Sequence, residues 1–210
     1  MKTFYLLLVL MTIANLSNAQ VAGKGTSNGQ SDGDFGIERP PEYPGGVSEF
    51  YKYLSNNLKY PTIARLVGIN GRLVLSFVVD ENGKVTKATP INCIGAGCEA
   101  EAVRLLETSP AWKPGINKGQ PVSVHYNVPI TFSIEGNNQK VLMKELRASG
   151  YGFVFSIKDT LYTIDEAENL LGKSFKSTQV QIAEPFYNYN KVAKFDMPDK
   201  KETYLIIIKS

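Results

Sequence analysis

The sequence predicts an α+β protein in which an antiparallel sheet packed on helices is followed by a second small α+β domain. Apolar residues recur at helical spacing between Val47 and Leu58, and apolar and polar residues alternate on both sides of Asn82-Gly83. The longest alternation of the chain runs from Val122 to Ile134. Helical and strand periods that follow one another in this way are typical of α+β domains.

Residues 1–19 have the order of a secretory signal peptide. Lys2 precedes an apolar stretch from Phe4 to Ala14, and Ser17 to Ala19 supplies small residues before the cleavage point. The apolar stretch is shorter than the roughly 20 residues that a membrane-spanning helix needs. We therefore expect cleavage after Ala19 and export to the periplasm, with an uncleaved membrane anchor as the alternative.

The rest of the chain divides into four segments. Residues 20–41 are rich in Gly, Ser, Asn and Asp and carry few large apolar side chains, so we expect a flexible leader there. A first domain follows over residues 42–135, then a linker helix over 136–150, and then a small α+β domain of unknown type over 151–210. In the last domain we expect strands at 153–157, 180–182 and 204–208 and a helix at 166–171.

Three helices and a hairpin are predicted in the first domain. The first helix carries an apolar stripe of Val47, Phe50, Tyr51, Leu54 and Leu58. The second starts at Tyr60-Pro61, buries Ile63, Ala64 and Val67, and ends at Gly68. Asn82-Gly83 predicts a tight hairpin turn between two strands, and the third helix follows with Ala102, Val103 and Leu106 on its buried face.

The run from Val122 to Ile134 predicts the last strand of the first domain, with one buried face and one solvent-exposed face. Pro129 lies in its middle and cannot donate a ladder hydrogen bond, so this strand is expected at a sheet edge or with a bulge. If Pro129 faces the open edge, Ser123, His125 and Asn127 face it as well, because backbone groups alternate sides along a strand.

Few residue patterns point to chemistry. Cys93 and Cys98 are the two cysteines, and in an oxidising compartment they predict a disulfide rather than a redox or metal site. His125 is the sole histidine, and on a polar strand face it is more often a solvated residue than a catalytic base. The formal net charge of +3 is too small to indicate a nucleic-acid surface. No enzyme, cofactor, metal or small-molecule substrate is indicated.

The strongest signal is a series of motifs in order. They are Pro44-Gly45-Gly46, Tyr60-Pro61 with Ala64-Arg65, Gly68-Ile69 with Gly71, Phe77 to Asp80 with Gly83 and Val85, Glu101-Ala102, Pro110 with Trp112, Pro114-Gly115, Gly119 with Pro121-Val122, and Pro129-Ile130 with Phe132. In this order and spacing, residues 41–134 resemble the TonB C-terminal domain family in its Pro-Gly-Gly variant. By itself, Trp112 is interpreted as a packing residue that caps the sheet.

This resemblance implies a partner. Domains of this family pair their last strand with a short segment of an outer-membrane receptor, so Ser123, His125 and Asn127 are expected to bind a receptor segment or another extended peptide. Three alternatives stay open: a membrane-anchored energy transducer, a structural or dimerising envelope protein whose sheet edge is covered by the terminal domain or by a second copy, and, last, an enzyme.

The end of the chain carries a second resemblance. Leu161 to Asp165 and the closing stretch from Lys201 to Lys209 are similar to the plug domain of TonB-dependent receptors, although Glu166 stands where that family usually has glycine. An unrelated small domain is the alternative.

Overall fold

The computed structural model describes residues 37–134 and 139–209. The predicted signal peptide and the leader as far as residue 36 lie outside the described residues. The helices are α1 (Gly46–Asn57), α2 (Thr62–Val67), α3 (Cys98–Glu107), α4 (Met143–Ala148) and α5 (Ile164–Leu171). The strands are β1 (Gly71–Val79), β2 (Val85–Pro90), β3 (Gly115–Asn117), β4 (Gln120–Val122), β5 (Val124–Phe132), β6 (Lys140–Leu142), β7 (Gly152–Ile157), β8 (Thr160–Thr163), β9 (Ser174–Lys176), β10 (Val180–Pro185) and β11 (Thr203–Ile208).

An antiparallel three-stranded sheet of order β2-β1-β5 forms the centre of the first unit. The predicted hairpin between β1 and β2 is confirmed. Asp80 closes it, because its backbone amide bonds to the Lys84 carbonyl at 2.9 Å and its carboxylate accepts from the amides of Asn82 and Lys84 at 2.9 and 2.8 Å. The α+β fold class predicted from sequence is therefore correct.

The helices cover one face of this sheet. Leu73, Leu75 and Phe77 of β1 are fully buried beneath them. The stripe predicted for the first helix is wrong at its start, since Val47 is 60% exposed and the buried positions begin at Phe50. The first turn of α1 therefore extends beyond the core. In α3 the sequence missed Leu105, which is fully buried and takes the place expected for the half-buried Val103.

Order begins earlier than predicted. Arg39 exchanges two backbone hydrogen bonds with Ile116, at 3.2 and 2.8 Å, and Glu42 does the same with Lys113, at 3.0 and 2.8 Å. Pro41, between them, is buried. The expectation of a flexible leader over residues 20–41 is therefore wrong from Arg39 onward, because this segment is held by backbone pairing that composition alone does not reveal.

The second unit contains a four-stranded sheet of order β10-β11-β7-β8. The strands predicted near 153–157, 180–182 and 204–208 are present, and the short helix is α5. Its start at Ile164 is fixed by a capping box, in which the Thr163 hydroxyl accepts from the Glu166 amide and the Glu166 carboxylate accepts from the Thr163 amide. The neighbours β7 and β11 run parallel, which the sequence did not predict.

The linker helix expected over 136–150 is only partly helical. Residues 135–138 lie outside the described residues, and Lys140–Leu142 forms β6, which pairs with β9. Val141 and Phe175 are opposite one another in this pairing and both are buried, so a tertiary contact overrides the helical pattern. The helix α4 begins only at Met143.

The two units share one apolar core and meet at the loop that follows β2. The Ala96 amide donates to the Ala183 carbonyl at 2.5 Å, and a Cβ on Gly95 would lie 2.5 Å from that same oxygen. Among the described helices, none combines the length and apolar character needed to cross a membrane.

Candidate functional site

The candidate site is the outer edge of β5. In the described part of the chain β5 pairs with β1 alone, in an unbroken register from Gly71–Phe132 to Val79–Val124. No described strand of the second unit pairs with its other edge. The run predicted as one strand from Val122 to Ile134 is divided at Ser123, because β4 turns away to pair with β3.

Hydrogen bonds made by Val74 reveal which backbone groups of β5 point outward. The Val74 amide donates to Asn92 Oδ1 at 2.7 Å, and its carbonyl accepts from the Ile91 amide at 2.8 Å, so both groups face the β2 side. Val74 lies opposite Pro129 in the register. This pair is therefore non-hydrogen-bonded, and the backbone of Pro129 faces away from β1.

The same alternation orients the rest of the edge. His125, Asn127 and Thr131 have the parity of Pro129, so their amides and carbonyls also face away from β1. No described residue accepts from or donates to these backbone groups. The sequence missed Thr131, although counting two residues on from Pro129 would have found it. Ser123 has the same parity but lies between β4 and β5, outside the ladder.

Three of the four side chains along this edge are polar, and none is a carboxylate. Asn127 and Thr131 are exposed, and His125 and Pro129 are half-buried. In the β1–β5 register, Asn127 lies opposite Ser76 and Thr131 opposite Arg72. His125 lies opposite Val78, and Pro129 lies opposite Val74. The edge therefore offers backbone donors and acceptors beside the side chains of His125, Asn127 and Thr131, with one arginine on the adjacent strand. Such an edge is suited to pairing with another extended chain.

An aromatic cluster supports the first half of β5 from below. Trp112 is 8% exposed, its ring lies 5.2 to 6.3 Å from those of Phe50, Phe77, Tyr43 and Tyr126, and Trp112 Nε1 donates to Ser109 Oγ at 3.2 Å. Most of these ring pairs are steeply inclined, an arrangement that stabilises beyond the area buried. Tyr43 belongs to this cluster but was not predicted, although an aromatic residue directly before the Pro-Gly-Gly motif was a visible signal.

Other motif residues fix the ends of β5. The Tyr60 hydroxyl donates to the Ile69 carbonyl, and its ring meets Phe132 edge-on at 5.7 Å, while burial raises the pKa of Tyr60. Pro61 lies directly before α2, one position earlier than expected. At the other end, a Cβ on Gly115 would lie 2.4 Å from Val124 Cγ2, so only glycine lets β3 approach β5 this closely.

Gly71 and Pro114, two further residues of the motif, lie next to the strands that surround the edge. A Cβ on Gly71 would lie 2.8 Å from Ile94 Cγ2, so this glycine admits the cysteine loop against the start of β1. Pro114 is half-buried and directly precedes β3. These residues position the strands around the edge and do not themselves face it.

The predicted disulfide is not formed in the structure, where Cys93 is an exposed free thiol and Cys98 a buried one. Burial raises the pKa of both thiols, that of Cys98 to about 12. The loop between them is held instead by Glu99, whose carboxylate accepts from the amides of Ile94 and Gly95 at 2.6 and 2.7 Å. Burial alone would raise the pKa of Glu99, but these hydrogen bonds outweigh it and lower the pKa below 4.5. In the described residues no three His, Cys, Asp or Glu side chains cluster as metal ligands.

Comparisons with known proteins concern the first unit. The family described as Gram-negative bacterial TonB protein C-terminal matches residues 56–134. The chain is similar to the protein TonB of Vibrio cholerae, with 35% identity over 80 residues, which are 37% of this chain and 32% of that protein. It thus spans about a third of the length of that relative.

Two solved structures were also found. Both are NMR solution structures of the Helicobacter pylori TonB C-terminal domain. The longer fragment has 20% identity, a TM-score of 0.34 and coverage of 43% of this chain and 81% of that chain. The shorter has 19% identity, a TM-score of 0.34 and coverage of 43% and 95%.

Proposed function

We propose that this chain is a non-catalytic envelope protein that binds an extended peptide by strand addition at β5. The match of residues 56–134 to the TonB C-terminal domain family supports this proposal. The partner is a segment of an outer-membrane receptor, and the role is linked to TonB-dependent transport across the outer membrane. The signal peptide directs the protein to the periplasm and is cleaved after Ala19.

One observation carries this proposal. The amides of His125 and Asn127 and the carbonyls beside them face away from β1 and have no partner among the described residues. A row of unpaired backbone groups at a sheet edge is a template for another strand, and peptide recognition by strand addition uses such a row for affinity. The side chains of His125 and Asn127 then supply selectivity.

Rigidity of the edge supports the proposal as well. The aromatic cluster around Trp112 and the Tyr60 contact with Phe132 hold both ends of β5 before any partner arrives. A strand that is already ordered loses less entropy on binding, so more of the hydrogen-bond energy appears as affinity.

A proline substitution at the open edge tests the proposal. In His125→Pro an outward amide is lost and no ladder bond to β1 is broken, so the domain should stay folded while binding weakens at least about tenfold. The probe is a synthetic peptide copied from a short segment of an outer-membrane receptor, and the readout is fluorescence anisotropy.

Two further variants separate the edge from the fold. Val128→Pro removes an inward amide opposite Leu75 and should lower the free energy of unfolding by about 1–3 kcal/mol. His125→Ala keeps the outward amide and should bind close to the unsubstituted protein. Binding by His125→Pro that equals the unsubstituted protein would refute strand addition at this edge.

Export has a separate test. Sequencing the mature N-terminus of the tagged full-length protein after membrane fractionation should give Gln20 as the first residue. An intact Met1 in the inner-membrane fraction would favour the anchored transducer instead.

A further inference from the structure

Pro129 interrupts the open edge near its middle. It is the one residue among the four outward-facing positions of β5 that has no amide hydrogen, and its ring carbon occupies the space where that hydrogen would lie. The other three, His125, Asn127 and Thr131, each offer a donor and an acceptor. The edge therefore consists of a two-rung part before Pro129 and a single isolated rung after it.

We infer that Pro129 limits the length and the register of what β5 accepts. The edge takes a short extended peptide paired with residues 124–128 and disfavours a strand that continues to Phe132. This part of the inference rests on the proposed function. The second part does not depend on the proposed function. The β5 strand of a second copy of this chain is also long, so its pairing with β5 is disfavoured at Pro129 as well.

Hydrogen-bond counting supports the short register. In antiparallel addition, each partner residue opposite His125 or Asn127 exchanges two hydrogen bonds with it. Opposite Pro129 the partner's carbonyl finds no donor, and the proline ring keeps the two backbones apart. An unpaired carbonyl at an interface offsets the gain from one further rung, so pairing beyond Val128 adds little affinity.

Symmetry makes the effect larger for a second copy. A two-fold pairing of β5 with itself meets Pro129 once in each strand, so the loss occurs twice. In the register centred on Val128, for example, each Pro129 stands opposite the partner copy's Asn127. Proline at an exposed edge is a known protection against such edge-to-edge association.

Pro129→Val in the full-length chain tests both parts. Valine restores the amide and suits a strand, and its backbone faces away from β1, so the fold should be kept. Two peptides from the same receptor segment serve as probes, one long enough to cover all nine residues of β5 and one covering only Val124 to Val128. The long peptide should bind Pro129→Val about tenfold tighter than the unsubstituted protein, while the short one should bind both equally.

Self-association gives the second readout. Pro129→Val should show a concentration-dependent increase in size by sedimentation, and the unsubstituted protein should not. The matched control is Pro121→Val, the same chemical change at an exposed position of β4, which should leave peptide affinity and size unchanged.

The outcomes separate the two proposals. If Pro129→Val and the unsubstituted protein bind the long peptide with equal affinity, the proposed role of Pro129 is refuted. A Pro129→Val variant that stays monomeric refutes it as well. Failure of every receptor peptide to bind either protein overturns the proposed function, and the sedimentation result then decides on Pro129 alone.

Discussion

Replacing Gly83 by alanine should destabilise the first unit more than a glycine substitution in any ordinary turn. Gly83 has φ +79° in the hairpin between β1 and β2, and a Cβ there would lie 1.8 Å from the Trp112 carbonyl oxygen. That oxygen belongs to backbone, so the clash cannot be relieved by rotating a side chain. The Trp112 amide also donates to the Gly83 carbonyl at 2.7 Å, and this bond breaks when the two segments separate.

The magnitude follows from three contributions. A left-handed conformation costs an alanine about 1 kcal/mol. The broken hydrogen bond costs about 1 kcal/mol, and displacing Trp112 from its aromatic neighbours costs at least a similar amount. We expect Gly83→Ala to lower the free energy of unfolding by about 3 kcal/mol. Urea unfolding followed by the fluorescence of Trp112, the sole tryptophan, measures this directly.

Gly119 provides the matched control. It has φ +72°, but a Cβ there would meet no atom within 4 Å. Gly119→Ala therefore experiences the conformational cost alone, about 1 kcal/mol. Equal losses of stability in the two variants would show that Gly83 does not approach Trp112 closely, and the account of this turn would be wrong.

Two other predictions concern single hydrogen-bonding side chains. Glu99→Gln weakens the charge-assisted bonds that hold the cysteine loop and should cost about 1–2 kcal/mol at neutral pH, whereas the exposed Glu107→Gln should cost almost nothing. Since hydrogen bonding holds the pKa of Glu99 in the folded state below 4.5, its contribution is complete above that pH and is lost as pH falls through the folded value. In urea unfolding, the difference in stability between variant and parent should therefore shrink as the pH is lowered below 4.5. Thr163→Ala removes the cap of α5 and should cost about 1 kcal/mol, against no change for the exposed Thr160→Ala, and equal melting temperatures of these two would contradict the capping box.

Local patterns predicted most of the first unit. Alternation on both sides of Asn82-Gly83 specified the hairpin, because the turn type and the strand period are both short-range properties. Pro129 correctly indicated an edge strand for the same reason, since a missing amide can be recognised from one residue. The second helix was likewise predicted by its own apolar positions and by Gly68, which ends it in the left-handed conformation.

Features that depend on distant partners were not predictable. Arg39 is ordered by pairing with Ile116, a residue far along the chain whose position no local pattern reveals. Lys140–Leu142 has a helical pattern but becomes a strand because Val141 packs opposite Phe175. The division of the long alternation at Ser123 has the same origin, since it depends on β3 being close enough to pair with β4.

One of the contacts between the two units lies on the side of the sheet opposite to the candidate site, and this arrangement bears on function. The loop that contacts Ala183 follows β2, while β5 lies at the other edge of the β2-β1-β5 sheet. The terminal unit can therefore pack on the first without pairing with β5, so the idea that it covers this edge has no support from strand pairing in the described residues. A partner strand would add next to His125 and Asn127, and its hydrogen bonds would not compete with the Ala96–Ala183 contact. Variants of the cysteine loop should consequently change the stability of the whole chain and leave peptide affinity at β5 unaltered.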